Sequence, residues 1–226
     1  MDKAVSVGFM MGKWGLDFWL PAFLTAAAAY LLGCFNGAVI VSKYILRDDV
    51  RKHGSGNAGL TNFYRTFGGP LTAVVILTDV LKAVAAVLVS VALLRHFLAD
   101  TDSVIVFSKY WAGLFCLLGH MFPCTFRFKG GKGILSGGTL AIMIDWRVAL
   151  VVWGGFLILA VLTRYVSLGS CWAGASFPFV SWFVYHDWLI LLLATACGGL
   201  VLWKHRGNIQ RLLGGTESKF SFHRKK

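Results

Sequence analysis

The chain is expected to fold as an all-α polytopic membrane protein with about seven transmembrane helices, and three observations say so. Of its 226 residues, 57% are hydrophobic and only 14% are charged, where a soluble domain carries about a quarter charged residues. The apolar residues come in blocks, several of them near the roughly 20 residues a helix needs to cross a bilayer. Nine Trp and eighteen Phe accompany them, and aromatic side chains gather at headgroup depth.

In chain order the apolar segments fall at 19–41, 71–94, 104–121, 134–144, 148–163, 166–184 and 188–203. The fourth is too short for a straight crossing and the fifth and seventh are marginal, so one or two helices should be short, tilted or half-inserted. The opening "MDKAVSVGFMMGKWGLDFW" lacks a compact basic region followed directly by a short apolar core. It reads as a tail before the first span, not as a cleaved signal peptide. No internal repeat and no soluble insert interrupts the series, so residues 1–226 read as one membrane domain with a short basic tail from about 204.

Charge then orients the series. The net charge of +12 would suggest nucleic acid in a soluble protein, but no nucleic-acid motif accompanies it. Sixteen of the 22 Lys and Arg fall in the first, third and fifth loops and the C-terminal tail. The positive-inside rule puts those segments in the cytoplasm and the N-terminus outside. Three polar stretches therefore share one face.

The first is "SGNAGLTNFYRTFGGP", Ser55 to Pro70. Ser55, Asn57, Thr61 and Asn62 offer short neutral hydrogen-bonding groups, and Arg65 can grip a phosphate bidentately. Neutral groups beside a cation suit a small hydroxylated phosphate; the simpler reading is a hydrophilic loop with Gly-rich turns. The second, "FRFKGGKGILSGG", runs from Phe126 to Gly138 and enters an apolar helix directly. Its Gly130, Gly131 and Gly133 let backbone approach a ligand, the helix start presents open N–H groups, and Lys129 and Lys132 add charge. It is not a Walker A motif, and a positively charged reverse turn is the simpler reading. The third, "WKHRGNIQRLLGGTESKF", follows the last span without a break. At helical spacing His205 shares a face with Asn208, and Asn208 with Arg211. An interfacial amphipathic tail is the alternative. Glu217, the only Glu in the chain, has no use in a purely electrostatic anchor.

Two further constellations carry less. Asp79 and Lys82 lie three apart inside the second segment, where a self-neutralising pair is expected, either structural or supporting a site. Cys116, His120 and Cys124 are spaced by four, but a metal site needs a fourth ligand and Pro123 interrupts the helix. The five Cys are scattered and odd in number, so neither disulfides nor a metal is expected, and no cofactor is implied.

Together "GSGNAGLTNFYR", "FKGGKGILS" and "HRGNIQRLLGGTE", in that order and with the spans between them, resemble the bacterial acyl-phosphate:glycerol-3-phosphate acyltransferases of the PlsY type. Departures are Ala58 for a usual Pro, Leu60 for Ala, Ser136 for Thr, Ala83 for Gly, and "CFNGA" without its usual Pro. They alter backbone stiffness more than chemistry. The resemblance implies a seven-span inner-membrane enzyme with a cytoplasm-facing site, using membrane-borne acyl phosphate and glycerol 3-phosphate and served by an acyl-phosphate-producing enzyme. It would form lysophosphatidic acid and phosphate. By motif position, Ser55, Arg65, Lys132, His205 and Asn208 would bind the substrates and carry catalysis, and Gly130, Gly131 and Gly133 would hold phosphate. Asn57, Thr61, Asn62, Lys129, Arg211 and Glu217 would complete the site.

An acyl phosphate is already activated, so such an enzyme needs mainly orientation and charge stabilisation. No recognisable nucleophile arrangement appears, which suits direct attack, with His205 or a substrate phosphate taking the proton. Acyltransferases that use acyl-CoA or acyl carrier protein are marked by H-x-x-x-x-D. The residues five after His are here Ala58, Thr101, Thr125, Leu191 and Gln210. A transporter for a phosphorylated metabolite needs a midplane site reachable from both sides, whereas these polar stretches lie on one face. A membrane scaffold leaves "SGNAGLTNFYR" unexplained.

Overall fold

The structure is a computed structural model that describes residues 15–98 and 100–220. The tail expected before the first span, and the basic residues Arg224, Lys225 and Lys226, lie outside the described residues. All regular structure among the described residues is helical.

Each of the seven apolar segments forms a helix, and local chemistry sets the ends. Helix α1, Leu16–Gly33, starts the bundle. The segment does not run on to residue 41 as one helix, because the Asn36 side chain accepts from Val39 N and caps a new short helix, α2 (Gly37–Ile40). A π-helical turn, Val41–Ile45, comes next. Helix α3 is Leu60–Thr66. Pro70 precedes the long α4, Leu71–Phe97, and Thr101 caps α5, Asp102–Met121. Helix α6, Ile134–Ile144, ends at Asp145, whose carboxylate accepts from Arg147 N and caps α7, Trp146–Thr163. Arg164 and His186 adopt left-handed backbone and end α7 and α8 (Val166–Tyr185). Asp187 caps α9, Trp188–Lys204, by accepting from Leu189 N and Ile190 N. At His205 the chain bends by 58° into α10, Arg206–Leu213.

Among the described residues, four segments are long and apolar enough to cross a membrane by themselves: Leu16–Ile45, Leu71–Phe97, Asp102–Phe126 and Trp146–Thr163. The bent α9–α10 pair makes a fifth. Of the seven apolar helices, α6 and the 20-residue α8 fall outside that set. With 11 residues, α6 rises only ~16 Å, about half the hydrocarbon thickness. The outer surface is apolar, with Leu162 77% and Val161 73% exposed, as lipid-facing positions require. Inside, small residues bring backbones together: a Cβ on Gly33 would overlap the Cys116 carbonyl of α5, and one on Gly198 the Gly174 carbonyl of α8. Around Tyr110, Cys116, Leu117 and Leu140 lies one continuous apolar core.

The polar connections meet at one end of this bundle. Arg51 donates to the carbonyls of Phe126 (3.0 Å) and Lys129 (3.3 Å), tying the first loop to the third. Lys204 donates to the Met121 carbonyl at the end of α5 (2.9 Å). Phe220 N donates to the Arg164 carbonyl (2.8 Å), which brings the C-terminal segment back over the α7–α8 corner.

Candidate active site

A cavity of about 1220 Å³ opens where these connections meet. Its walls hold Ser55, Asn57, Thr61, Asn62 and Arg65 from the first stretch, Lys132 and Gly133 from the second, and His205, Asn208, Arg211 and Glu217 from the third. Ile76, Leu135, Trp153 and Phe156 add an apolar side.

The second stretch works differently from its expectation. Gly130 N donates to the Met121 carbonyl (3.3 Å) and Gly131 N to the His120 carbonyl (3.1 Å). Those amides satisfy the C-terminus of α5, and neither glycine lines the cavity. Their missing side chains serve packing, since a Cβ on Gly130 would overlap the His120 carbonyl. Lys129 is exposed and stands outside the cavity as well. The anion-suited part of the stretch begins at Gly133, which turns the chain into α6 at φ +78°. The first backbone hydrogen bond of that helix is Gly137 N to Gly133 O (2.7 Å). The N–H groups of Ile134, Leu135 and Ser136 are thus the open donors at its start.

The first stretch owes its shape to Asn62. Its side-chain oxygen accepts from Ser55 N (3.0 Å), and its amide group donates to the carbonyls of Val50 (3.1 Å), His53 (3.0 Å) and Asn57 (3.0 Å). One buried side chain therefore folds the loop that presents Ser55 and Thr61. Arg65 stands exposed at the mouth and donates to the Ser218 carbonyl (3.5 Å), and Tyr64 stacks on Phe220 with ring centroids 5.9 Å apart.

The third stretch links to the second through a chain of contacts. Lys132 Nζ donates to Asn208 Oδ1. Asn208 Nδ2 donates to Glu217 Oε1 (2.6 Å), and Arg211 Nε to Glu217 Oε2 (2.7 Å). Burial pushes the Lys132 ammonium down to about 8, with the Arg211 charge acting the same way and Glu217 partly offsetting both. For Glu217 burial acts upward, but hydrogen bonds from Asn208 and Arg211 outweigh it and hold the carboxyl below its ordinary value. His205, 3% exposed, sits at the α9–α10 bend with Nδ1 2.8 Å from the Val201 carbonyl. A carbonyl only accepts, so Nδ1 carries the proton and Nε2 keeps a lone pair.

The lining also includes ionisable residues that were not among the site candidates, notably Asp79, expected as half of an ion pair either structural or supporting a site, and His120, considered only within the Cys116, His120 and Cys124 spacing. One signal was available. A lone carboxylate leaves two of the three N–H bonds of a membrane lysine unanswered, which calls for acceptors from other segments.

Fold and cavity together define a helical integral membrane protein with a large cavity at one end of its bundle, whose walls bring cationic, hydroxyl and amide groups beside an apolar side. The sequence profile of the glycerol-3-phosphate acyltransferase family matches residues 23–215. A glycerol-3-phosphate acyltransferase of Thermoanaerobacter pseudethanolicus (strain ATCC 33223 / 39E) is 37% identical over 198 residues, covering 88% of this chain and 95% of the relative. That of Bacillus subtilis (strain 168) is 36% identical over 191 residues, covering 84% and 93%. The crystal structure of PlsY, an integral membrane glycerol 3-phosphate acyltransferase, in its glycerol 3-phosphate form superposes with a TM-score of 0.77 at 32% identity, covering 88% of this chain and 96% of that one. Its lysophosphatidic acid form gives 0.73 at the same identity. The chain belongs to the glycerol-3-phosphate acyltransferase family.

Proposed function

We propose that the protein transfers a fatty acyl group from an acyl phosphate to the 1-hydroxyl of sn-glycerol 3-phosphate. The hydroxyl oxygen attacks the acyl carbonyl, the bond from that carbon to the phosphate oxygen breaks, and lysophosphatidic acid and inorganic phosphate leave. The observation that carries this reading is the composition of the cavity. Cations and open helix amides lie beside small hydroxyl- and amide-bearing side chains, and the apolar wall of Ile76, Leu135, Trp153 and Phe156 can take a lipid tail.

In this reading Lys132 and the start of α6 hold phosphate, Arg65 meets the second anion at the mouth, and Ser55, Asn57 and Thr61 supply hydroxyl and amide contacts. Arg211 and Glu217 hold Asn208 against Lys132. Asn62, Gly130 and Gly131 act as scaffold. The proton leaves to His205 Nε2 or to a phosphate oxygen of the donor. No cysteine lines the cavity, in keeping with direct attack without an acyl-enzyme. The occupied forms of PlsY, with glycerol 3-phosphate and with lysophosphatidic acid, support the same substrate and product here. We place the enzyme in the bacterial inner membrane with seven helical segments, the N-terminus outside and the cavity facing the cytoplasm, following the positive charge of the loops. An enzyme producing acyl phosphate must act upstream.

The test is a product assay on detergent-purified protein with labelled glycerol 3-phosphate and either palmitoyl phosphate or palmitoyl-CoA. Lysophosphatidic acid from the acyl phosphate alone, lost in Ser55→Ala and Lys132→Met, is the expected result. Product only from the CoA thioester, with folded protein, refutes the donor.

A further inference from the structure

At the floor of the same cavity three ionisable side chains meet: Asp79 and Lys82 from α4 and His120 from α5, each 5% exposed or less. The Lys82 ammonium faces three acceptors: Asp79 Oδ1 (2.7 Å), the Phe35 carbonyl (2.8 Å) and His120 Nδ1 (2.7 Å). An ammonium has three N–H bonds and no lone pair. Nδ1 therefore accepts, and the ring proton of His120 is on Nε2.

Two polar atoms are left over. Asp79 Oδ2 receives no hydrogen bond among the described residues, and His120 Nε2–H makes none. Both residues line the cavity, and neither atom is sealed from it. A purely structural ion pair requires only the Lys82 contacts. Leaving a bare acceptor and a bare donor on two residues whose near atoms, Asp79 Oδ1 and His120 Nδ1, lie 3.6 Å apart costs free energy unless something fills the place.

One acceptor beside one donor complements a hydroxyl, which donates and accepts at once. It does not complement a phosphate, which the carboxylate repels. Position agrees with this. His120 lies directly under the turn that leads to α6: Gly131 comes so close that a Cβ would overlap Nε2, and a Cβ on Gly133 would stand 3.9 Å from Cδ2. A phosphate held by Lys132 and the start of α6 brings its attached glycerol carbons to this floor.

We infer that Asp79 and His120 bind the acceptor hydroxyl that is not acylated, the 2-hydroxyl of sn-glycerol 3-phosphate. It donates to Asp79 Oδ2 and accepts from His120 Nε2–H. No bond is made or broken here; the pair fixes the acceptor and leaves the 1-hydroxyl as the free nucleophile. The inference rests on the acceptor proposed above.

The experiment compares kcat/KM for glycerol 3-phosphate, 3-hydroxypropyl phosphate (which lacks the 2-hydroxyl) and the 2-deoxy-2-fluoro analogue, with palmitoyl phosphate as donor. It uses the wild-type enzyme, Asp79→Asn and His120→Gln. Wild type should prefer glycerol 3-phosphate over the deoxy acceptor on the order of ten- to a hundredfold, as expected for a hydrogen bond to a charged group. The fluoro analogue, which gives no proton to Asp79, should rank with the deoxy compound. In the variants the preference should collapse towards unity, an effect that a merely structural role does not produce. If wild type uses all three acceptors equally, or folded variants keep its preference, the inference is overturned. If the variants do not fold, the wild-type ranking decides alone. Absence of transfer to any acceptor refutes the proposed function instead.

Discussion

Lys132 gives the clearest pH dependence. Its ammonium is the form that holds an anion, and burial with the Arg211 charge lowers its pKa to about 8. In the free enzyme the lysine is roughly nine-tenths protonated one unit below that value and roughly one-tenth protonated one unit above it. kcat/KM for glycerol 3-phosphate should therefore fall about tenfold between pH 7 and pH 9, since this ratio reports the free enzyme. A bound phosphate stabilises the ammonium, so kcat should hold to higher pH. Lys132→Arg, which stays charged throughout, should flatten the profile whatever it does to the absolute rate.

Unfolding would produce a different pattern, because the sign of the linkage is opposite. Folded Lys132 holds its proton less tightly than the unfolded chain does, so this group adds stability as pH rises between about 8 and its ordinary value. A fall in kcat/KM while the unfolding temperature holds or rises is the signature of the active-site lysine. The assay is initial rates in detergent at pH 7.0 to 9.5, above the titration of the substrate phosphates. A wild-type profile flat to pH 9.5, or the same fall in Lys132→Arg, refutes the reasoning.

Three other outcomes rest on the same geometry. Glu217→Gln removes the charge that supports the Lys132 ammonium, so the alkaline fall should move to lower pH. An unmoved profile, read in the same assay, would detach Glu217 from Lys132. Asn62→Asp keeps the acceptor for Ser55 N but turns a carboxylate towards three carbonyls; at about 1–3 kcal/mol for each buried group left unpaired, both thermal stability and kcat/KM should drop. A loss confined to KM, with stability unchanged, would make Asn62 a ligand instead. Gly131→Ala sets a Cβ against His120 Nε2 and 2.8 Å from the Ala58 carbonyl oxygen, an overpacking that costs about 1–3 kcal/mol. Gly137→Ala, with 3.7 Å to Leu117 Cδ2, should be tolerated in the same melting experiment.

What the sequence disclosed and what it withheld divide along a physical line. Hydropathy and charge are one-dimensional properties, so the seven apolar segments and the shared face of the three polar stretches could be read directly. Cap residues are legible in principle too, yet Asn36 sits inside an apolar run that hides its break of the first segment. Residue types were a weaker guide to role. A Gly-Lys stretch before a helix suits phosphate, but Gly130 and Gly131 spend their amides on the end of α5, and the open donors begin only after Gly133. Of the three glycines only Gly133 lines the cavity, because an N–H group can face a cavity or a neighbouring carbonyl with the same sequence. Asn62 shows the same ambiguity, since its amide complements a backbone loop as well as it complements a sugar.

The floor of the cavity was hidden for a different reason. Asp79 and Lys82 are three apart and announce each other, whereas His120 joins them from 38 residues away, through a contact that no periodicity encodes. Charge bookkeeping still constrains it. Lys82 spends all three donors, and the carboxylate it neutralises keeps one oxygen turned to the cavity. The Asp79–Lys82 pair therefore places an acidic oxygen at the cavity without adding net negative charge there. The same lysine fixes the His120 tautomer, so donor and acceptor stand ready before any ligand arrives. Preorganisation of this kind is what lets a small acceptor be held in one orientation beside a far larger lipid donor.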